Sequence, residues 1–528
     1  MPYFFHLNQA NSAHASPDVR VQGLNRIRRN GSHLAVYAIL IGAGLLGGCG
    51  GGSGSSGSAP VSQPPVVVPD PVPAALPPVV AVPAPASSPA WLNGALVYNI
   101  YTEIFSASGN FAGINAQLPR LHELGVNVIW LMPISPIAQG NNNGHPNVGS
   151  PYAIRDHTAI NPAYGDAAEL KRLVASAHAL GMKLILDMPL NHTSWDNPLL
   201  TRHPEFYQHS DGNPNNVASI QQAFTFTDVA QLNYQWRVGG VLQTGLQTYM
   251  TDMLKNWISE FDVDGFRFDM PDNPAGANRM IPAGFWQGLR PQLEAIKPGI
   301  LMLGEEQSKE LSTAPFQLNY GWRLQSELIK AALVGPAGIP AAWKEQQEGW
   351  PAGSMHMSIL QDWDLDSDLK LYGSSAGVMA AAAFNFTMNG VPLLWNGEEV
   401  GNANGSNNTH TPIDWNGANA KAFTALYAGL ISLRQANSAL QQGSVTWLTT
   451  SKPNQMLAYE RTDADGEFLV LINFSTAAAE GNLTSLPAGS ANWTELTPAS
   501  APFGAGHIAP PKFKLAAYDF AIFRRARN

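Results

Sequence analysis

Short, almost wholly apolar runs alternate along this chain with longer stretches in which apolar residues return every three or four positions. Runs of the first kind fit buried strands, and stretches of the second fit helices with one apolar face. From Trp91 onward, strands are predicted at Val97–Phe105, Val128–Pro133, Leu184–Asp187, within Phe261–Met270, and at Ile300–Leu303, Phe316–Tyr320, His356–Leu360 and Pro392–Trp395. Helices are predicted at Ile114–Leu124, Asp166–Leu180, Gly239–Phe261, Phe285–Ile296, Arg323–Leu333, Gly377–Phe386 and Ala420–Gln435. Gly125 and Gly181 follow the first two as helix stops. Eight strands interleaved with helices fit an α/β fold, the closed (β/α)8 TIM barrel, spanning residues 91–440. After about residue 441, Leu457–Arg461, Phe468–Asn473 and Ala516–Phe523 read as strands of a separate C-terminal antiparallel β domain, a β-sandwich over 441–528.

The first ninety residues have a different texture. Arg26, Arg28 and Arg29 precede an apolar run, Leu34 to Gly48, that is too short for a stable membrane span and fits a signal-peptide core. It closes on Leu45-Leu46-Gly47-Gly48-Cys49, which resembles the lipobox of bacterial lipoproteins. That resemblance implies lipid attachment at Cys49, a membrane partner through that anchor, and a place in the cell envelope, periplasmic or on the outer-membrane surface. Residues 50–58 are Gly and Ser only, and 59–90 are dominated by Pro, Val and Ala, so 50–90 reads as a tether.

Composition narrows the ligand. Among 528 residues, 30 Lys and Arg stand against 39 Asp and Glu, a net charge of -9 with only 13% charged residues. No basic field exists to hold a nucleic acid, which is excluded as a partner. The 14 Trp and 14 Tyr suit a neutral, hydroxyl-rich ligand. A single Cys excludes an internal disulfide framework and a Cys-based metal cluster.

In a barrel of this kind the chemistry stands at the C-terminal ends of the strands. Arg267 and Asp269 lie two positions apart, on one face, at the end of the fourth strand. Asp187 and Asn191-His192 follow the third strand, Glu305-Glu306 the fifth, and Asp362-Trp363-Asp364 the seventh. Two such carboxyl groups cleave a glycosidic bond when one is the nucleophile and the other the proton donor, about 5 to 5.5 Å apart for retention of configuration. A metal-dependent hydrolase would need more histidines here than His192 alone.

These motifs resemble the α-amylase family, glycoside hydrolase family 13. Asp187-x-x-x-Asn191-His192 is similar to its first conserved region, Gly265-Phe266-Arg267-x-Asp269 to its second and Gly304-Glu305 to its third. Gly125–Pro133 and Gly390–Glu399 are similar to its second- and eighth-strand signatures, and Leu430–Gln435 with Ala439-Leu440 to its final barrel helix. The resemblance implies a retaining hydrolase of α-1,4-linked glucans or malto-oligosaccharides, with Asp269 as nucleophile, Glu305 as acid and base, and Asp364 as transition-state stabiliser. Arg267 would orient Asp269, His192 would bond the sugar at the cleavage position, Tyr152 would stack on that sugar, and Asp187 would partner Arg267. Glu306 is expected to face away. An α-glucosidase or transglycosylase on short α-glucosides is the alternative, with a non-catalytic glycan-binding protein as a third reading. Residues 193–235 stand where the family carries its small B domain.

The chain departs from the family at the seventh strand, where Asp362-Trp363-Asp364 replaces Asn-His-Asp, and at Asn273, where a histidine is often found. Trp363 thus stands where a histidine would grip substrate hydroxyls, although an indole cannot accept a hydrogen bond. An offset using Asp362 in place of Asp364 is also open. No cofactor is required for the chemistry. A structural calcium ion is possible, because Asn191 stands at a ligand position of many relatives, but the loop Ser106–Phe111 has no carboxylate to support it.

Overall fold

The eight apolar runs close into one parallel barrel: β1 (Val97–Ile100), β2 (Val128–Leu131), β3 (Lys183–Pro189), β4 (Gly265–Asp269), β5 (Leu301–Gly304), β6 (Leu318–Tyr320), β7 (Met355–Ser358) and β8 (Val391–Trp395). Each strand pairs with the next, and β8 pairs back onto β1. This computed structural model describes residues 88–528 apart from 272–280, 306–310, 312–314, 351–353, 403–409, 486–491 and 527–528. The leader, Cys49, nearly all of the tether, Asn273 and Glu306 lie outside the described residues.

Alternation along the strands sorts side chains into two cores. Val97, Val128, Trp130, Ile185, Leu301, Leu303, Leu318, Tyr320, Met357, Val391 and Leu393 fill the barrel interior. The other parity, including Tyr98, Ile129, Leu184, Leu186, Phe266 and Phe268, packs outward against the helices. Local chemistry sets the helix ends. Asn110 accepts the Gly113 amide at the start of Phe111–Leu124, and Gly125 ends that helix with φ 100°. Asp166 and Glu169 form a capping box at the start of Ala167–Ala179.

Three predicted elements differ. Val97–Phe105 is a strand only to Ile100, and Thr102–Phe105 is a helical turn; a buried apolar run has no periodicity to tell the two apart. The predicted helix from Gly239 starts at Gly245, because Gly239 and Gly240, both at positive φ, turn a small hairpin between Arg237–Val238 and Val241–Leu242. Ala516–Phe523 is not one strand. A turn separates Lys512–Leu515 from Phe520–Arg525, with Tyr518 at φ 55°.

The insertion after β3 builds a three-stranded antiparallel sheet from His192–Ser194, Gln222–Ala223 and Phe226–Gln231. The loop after β2 packs onto it: the His145 ring stacks on Trp195 at 3.7 Å, and the Asn142 amide donates to the Asp228 carbonyl at 2.8 Å. The C-terminal domain is a five-stranded antiparallel sheet faced by the two-stranded pair Ala479–Asn482 and Lys512–Leu515. Met456, Ala458, Leu469 and Leu471 point to the small pair, while Leu457, Tyr459, Val470 and Ile472 join the barrel's outer core. Helix Ser375–Thr387, apolar on nearly every side, is buried between the barrel and this sheet.

Candidate active site

Strand register brings the polar groups together. In the parallel pairing of β3 with β4, Asp187 lies opposite Arg267 and Pro189 opposite Asp269, so the two carboxylates and the guanidinium share one face. Gly265 lets β4 approach β5, because a Cβ there would stand 2.5 Å from the Leu301 carbonyl oxygen. Phe266 and Phe268 alternate to the other face, where Phe268 meets Trp286 at 4.8 Å. Arg267 and Asp269 are thereby left to the cleft.

Arg267 is 2% exposed and organises the rest. Its Nη1 donates to Asp187 at 2.9 Å and to Asp269 at 3.0 Å, its Nη2 meets Glu305 at 2.7 Å, and its Nε donates to the Tyr320 hydroxyl at 3.2 Å. Three carboxyl groups from three strands thus close on one guanidinium, which also lies over the rings of Trp130 and Tyr152. Glu305 also accepts the Met270 amide at 3.2 Å. Met270 reaches that position with φ 42°, a backbone region unfavourable for a side chain of its size.

Burial pushes the Glu305 carboxyl up to about 7; Arg267 opposes the shift and the Asp269 charge adds to it. Asp269 is also raised by burial, against Arg267. Burial likewise lifts Asp187 to about 6, with Arg267 again opposing.

Across the cleft, Asp362 is 3% exposed and accepts the Asp364 amide at 3.0 Å. Asp364 lies within the field of Asp362, Glu305, Arg267 and Asp269. Protein atoms crowd it and, with the Asp362 and Glu305 charges, raise its pKa, while its open surface lets cleft water temper the effect. Trp363 is 6% exposed and belongs to an aromatic wall, 5.1 Å from Tyr101, 6.4 Å from Trp395 and 6.5 Å from Tyr152. It is a packed wall residue, as suits an indole in place of a hydroxyl-binding histidine. Tyr152 is half-buried, and its hydroxyl donates to Asp187 at 3.1 Å.

His192 differs from expectation. It is buried, with Nδ1 against the Asn191 amide oxygen and Nε2 at 3.1 Å from the Tyr152 carbonyl, so both ring nitrogens already have protein partners. Burial lowers it to about 4 and keeps it neutral. The calcium donor set does not fit either. Asn191 gives its amide N–H groups to the Asp269 and Met270 carbonyls and its oxygen to His192, while Asn110 caps a helix. Among the described residues no cluster of three or more His, Cys, Asp or Glu could hold a metal ion. Glu398 and Glu399, in the eighth-strand motif, are buried against the hydroxyls of Tyr427 and Tyr98. Tyr101, Tyr320, Trp395 and the Met270 amide are site groups that motif reading missed. Only their position at or just past a strand end marked them.

Residues 99–432 match the description "Alpha amylase, catalytic domain". The chain is 23% identical over 426 residues to alpha-amylase 2 of Dictyoglomus thermophilum, covering 73% of this chain and 70% of that one. It is 24% identical over 437 residues to a cyclomaltodextrinase of a Bacillus species, covering 73% of each. Among solved structures, the noncanonic maltogenic alpha-amylase AmyB of Thermotoga neapolitana superposes with a TM-score of 0.69 at 23% identity, over 83% of this chain and 100% of that one. An alpha-amylase of Lactobacillus plantarum gives 0.67 at 25% identity, with the same coverage.

Proposed function

The chain belongs to the α-amylase family and is a glycoside hydrolase of α-glucans; on that premise we propose that it cleaves α-1,4-glucosidic bonds in starch-like glucans or malto-oligosaccharides with retention of configuration. The observation that carries this reading is that one guanidinium holds both carboxyl groups, Arg267 meeting Asp269 at 3.0 Å and Glu305 at 2.7 Å. Two carboxyl groups on one planar fork fit the close spacing of a retaining pair, about 5 to 5.5 Å, better than the about 6.5 to 9.5 Å of an inverting one.

Asp269, held ionised by Arg267, attacks the anomeric carbon. As the C–O bond breaks, Glu305 gives its proton to the leaving glycosidic oxygen, and a β-glycosyl ester forms on Asp269. Glu305, now a carboxylate, takes a proton from the incoming water, whose oxygen attacks the same carbon and releases Asp269. Retention results from the two inversions. A Glu305 pKa of about 7 suits an acid that works near neutral pH and then serves as base. Asp364, open to the cleft opposite this pair, holds sugar hydroxyls more tightly as the ring distorts. Tyr152, half-buried, offers its ring face to the sugar, and the packed wall of Trp363, Tyr101 and Trp395 backs that ring.

Transglycosylation, in which a second sugar takes the place of water, is the second reading. Product profiles on defined malto-oligosaccharides and pullulan separate the two: longer oligomers than the substrate mark transfer. Glu305→Gln and Asp269→Asn should each lower kcat by at least about a thousandfold in protein whose circular dichroism shows the native fold. Substantial residual activity in either would place the chemistry elsewhere. The lipobox-like segment supports a lipid anchor on Cys49. Radioactive palmitate should label the chain in vivo and fail to label Cys49→Ser; equal labelling of both would remove the anchor.

A further inference from the structure

Resting on the assignment of Glu305 as proton donor, we propose that Asp362 is a positioning residue for the acid–base step: it anchors the Asp364 backbone, and its carboxyl competes with Glu305 for a proton in the same cleft. The anchoring is direct. Asp362 Oδ1 accepts the Asp364 amide at 3.0 Å, and its carbonyl oxygen accepts the Leu365 amide at 3.4 Å, which shapes the turn that carries Asp364.

The charge argument starts from what faces this carboxyl. Arg267 from β4, Glu305 after β5, Tyr320 from β6 and Asp364 on its own turn act on Asp362, and the same Arg267 holds Asp187 from β3 and Asp269 from β4. Five carboxyl groups therefore surround one guanidinium. The polar edge of that guanidinium is already taken by Asp187, Asp269 and Glu305, and no ion pair reaches Asp362 or Asp364 among the described residues. Five buried or crowded carboxyl groups cannot all ionise around one cation in a low-dielectric cleft. Part of them must retain protons at neutral pH. Burial and the Glu305 charge raise Asp362 to about 7, and a repulsion between two carboxylates acts on both. Where the family pattern has Asn and His, this turn has Asp362 and Trp363, one more carboxyl and one imidazole fewer. An asparagine would make the same bond to the Asp364 amide without the charge, so the two roles can be separated.

The test is the pH dependence of kcat/KM on maltoheptaose for the wild type, Asp362→Asn and Asp362→Ala, with Glu305→Gln measured alongside. Both Asp362 variants remove the charge, so either one that folds reads the alkaline limb, which should move to lower pH by about half to one unit. The kcat at each variant's own optimum should fall at least about tenfold further in Asp362→Ala than in Asp362→Asn, because only the alanine loses the acceptor. Alkaline limbs that superimpose on the wild type would overturn the charge role, and equal kcat values in the two variants would overturn the anchoring role. If Glu305→Gln itself stays active, the underlying reading fails; if it is inactive while Asp362→Asn leaves the profile unmoved, only the present inference does.

Discussion

Arg267 shows how a buried charge can be an asset and a constraint at once. Alone in the barrel it would be costly, and it is tolerated because Asp187, Asp269 and Glu305 each meet it within 3.0 Å. Arg267→Lys keeps the charge but cannot serve Asp187 and Glu305 from opposite ends of a planar fork. We expect kcat to fall at least about a hundredfold with less than about a tenfold change in KM, read from steady-state kinetics on maltoheptaose. A different buried carboxyl makes a stability prediction. Asp368, 0% exposed, has one oxygen with no hydrogen-bond partner, and burial lifts it to about 7 from its ordinary 3.8. A raised carboxyl pKa means that the stability present below about pH 4 is lost as pH rises through 7. Asp368→Asn keeps the oxygen that accepts the Leu369 amide and abolishes the ionisation. Its stability relative to the wild type should therefore improve by up to a few kcal/mol between pH 4 and pH 8, measured by urea unfolding at both. A difference independent of pH would show that Asp368 does not titrate in that range.

At the scale of elements, the strands decide where chemistry can stand. Gly265 is the tightest example, and Gly265→Ala should destabilise the fold by at least about 1 to 3 kcal/mol, seen as a lower urea midpoint, since Leu301 backbone cannot give way. An unchanged midpoint would mean that β4 and β5 can part there without penalty. The barrel strands and the carboxylates at their ends were legible in the sequence because an apolar run that stops on Arg267 and Asp269 states both its burial and its limit. Elements without period-bearing residues were not legible. Thr102–Phe105 reads as strand because Ile104 and Phe105 are buried in either conformation. The partners of His192 were illegible for another reason: Asn191 precedes it, but the Tyr152 carbonyl comes from 40 residues away. The left-handed turn at Met270, which aims an amide at Glu305, has no glycine to announce it.

In the whole molecule, the catalytic barrel and the C-terminal sheet share one continuous apolar core, and two buried arginines sit beside it. Arg434 donates to the carbonyls of Phe386, Met388, Gly390 and Leu440, and Arg461 to those of Thr387, Leu440 and Gly443. Neither has a carboxylate among these partners, and burial lowers both to about 9. Arg461→Met removes the donor to the Thr387 carbonyl, while Leu440 keeps Arg434 and Gly443 keeps Asn389, and should cost about 1 to 3 kcal/mol, measured by urea unfolding. A change under about 0.5 kcal/mol would mean that the Thr387 carbonyl finds another partner. The C-terminal strands were legible as strands, but their division between two cores depends on a neighbour that no local pattern names.

The central claim is that Asp269 forms the bond to sugar while Glu305 handles the proton. Glu305→Gln incubated with an α-maltosyl fluoride, whose leaving group needs no acid, should accumulate a glycosyl-enzyme. Peptide mass mapping after rapid acid quench reads it directly. The account predicts a mass increase of one maltosyl unit on the peptide that carries Asp269, absent in the Asp269→Asn, Glu305→Gln double variant. A maltosyl unit on any other carboxylate, or fluoride release with no adduct and an inverted product anomer, would contradict it.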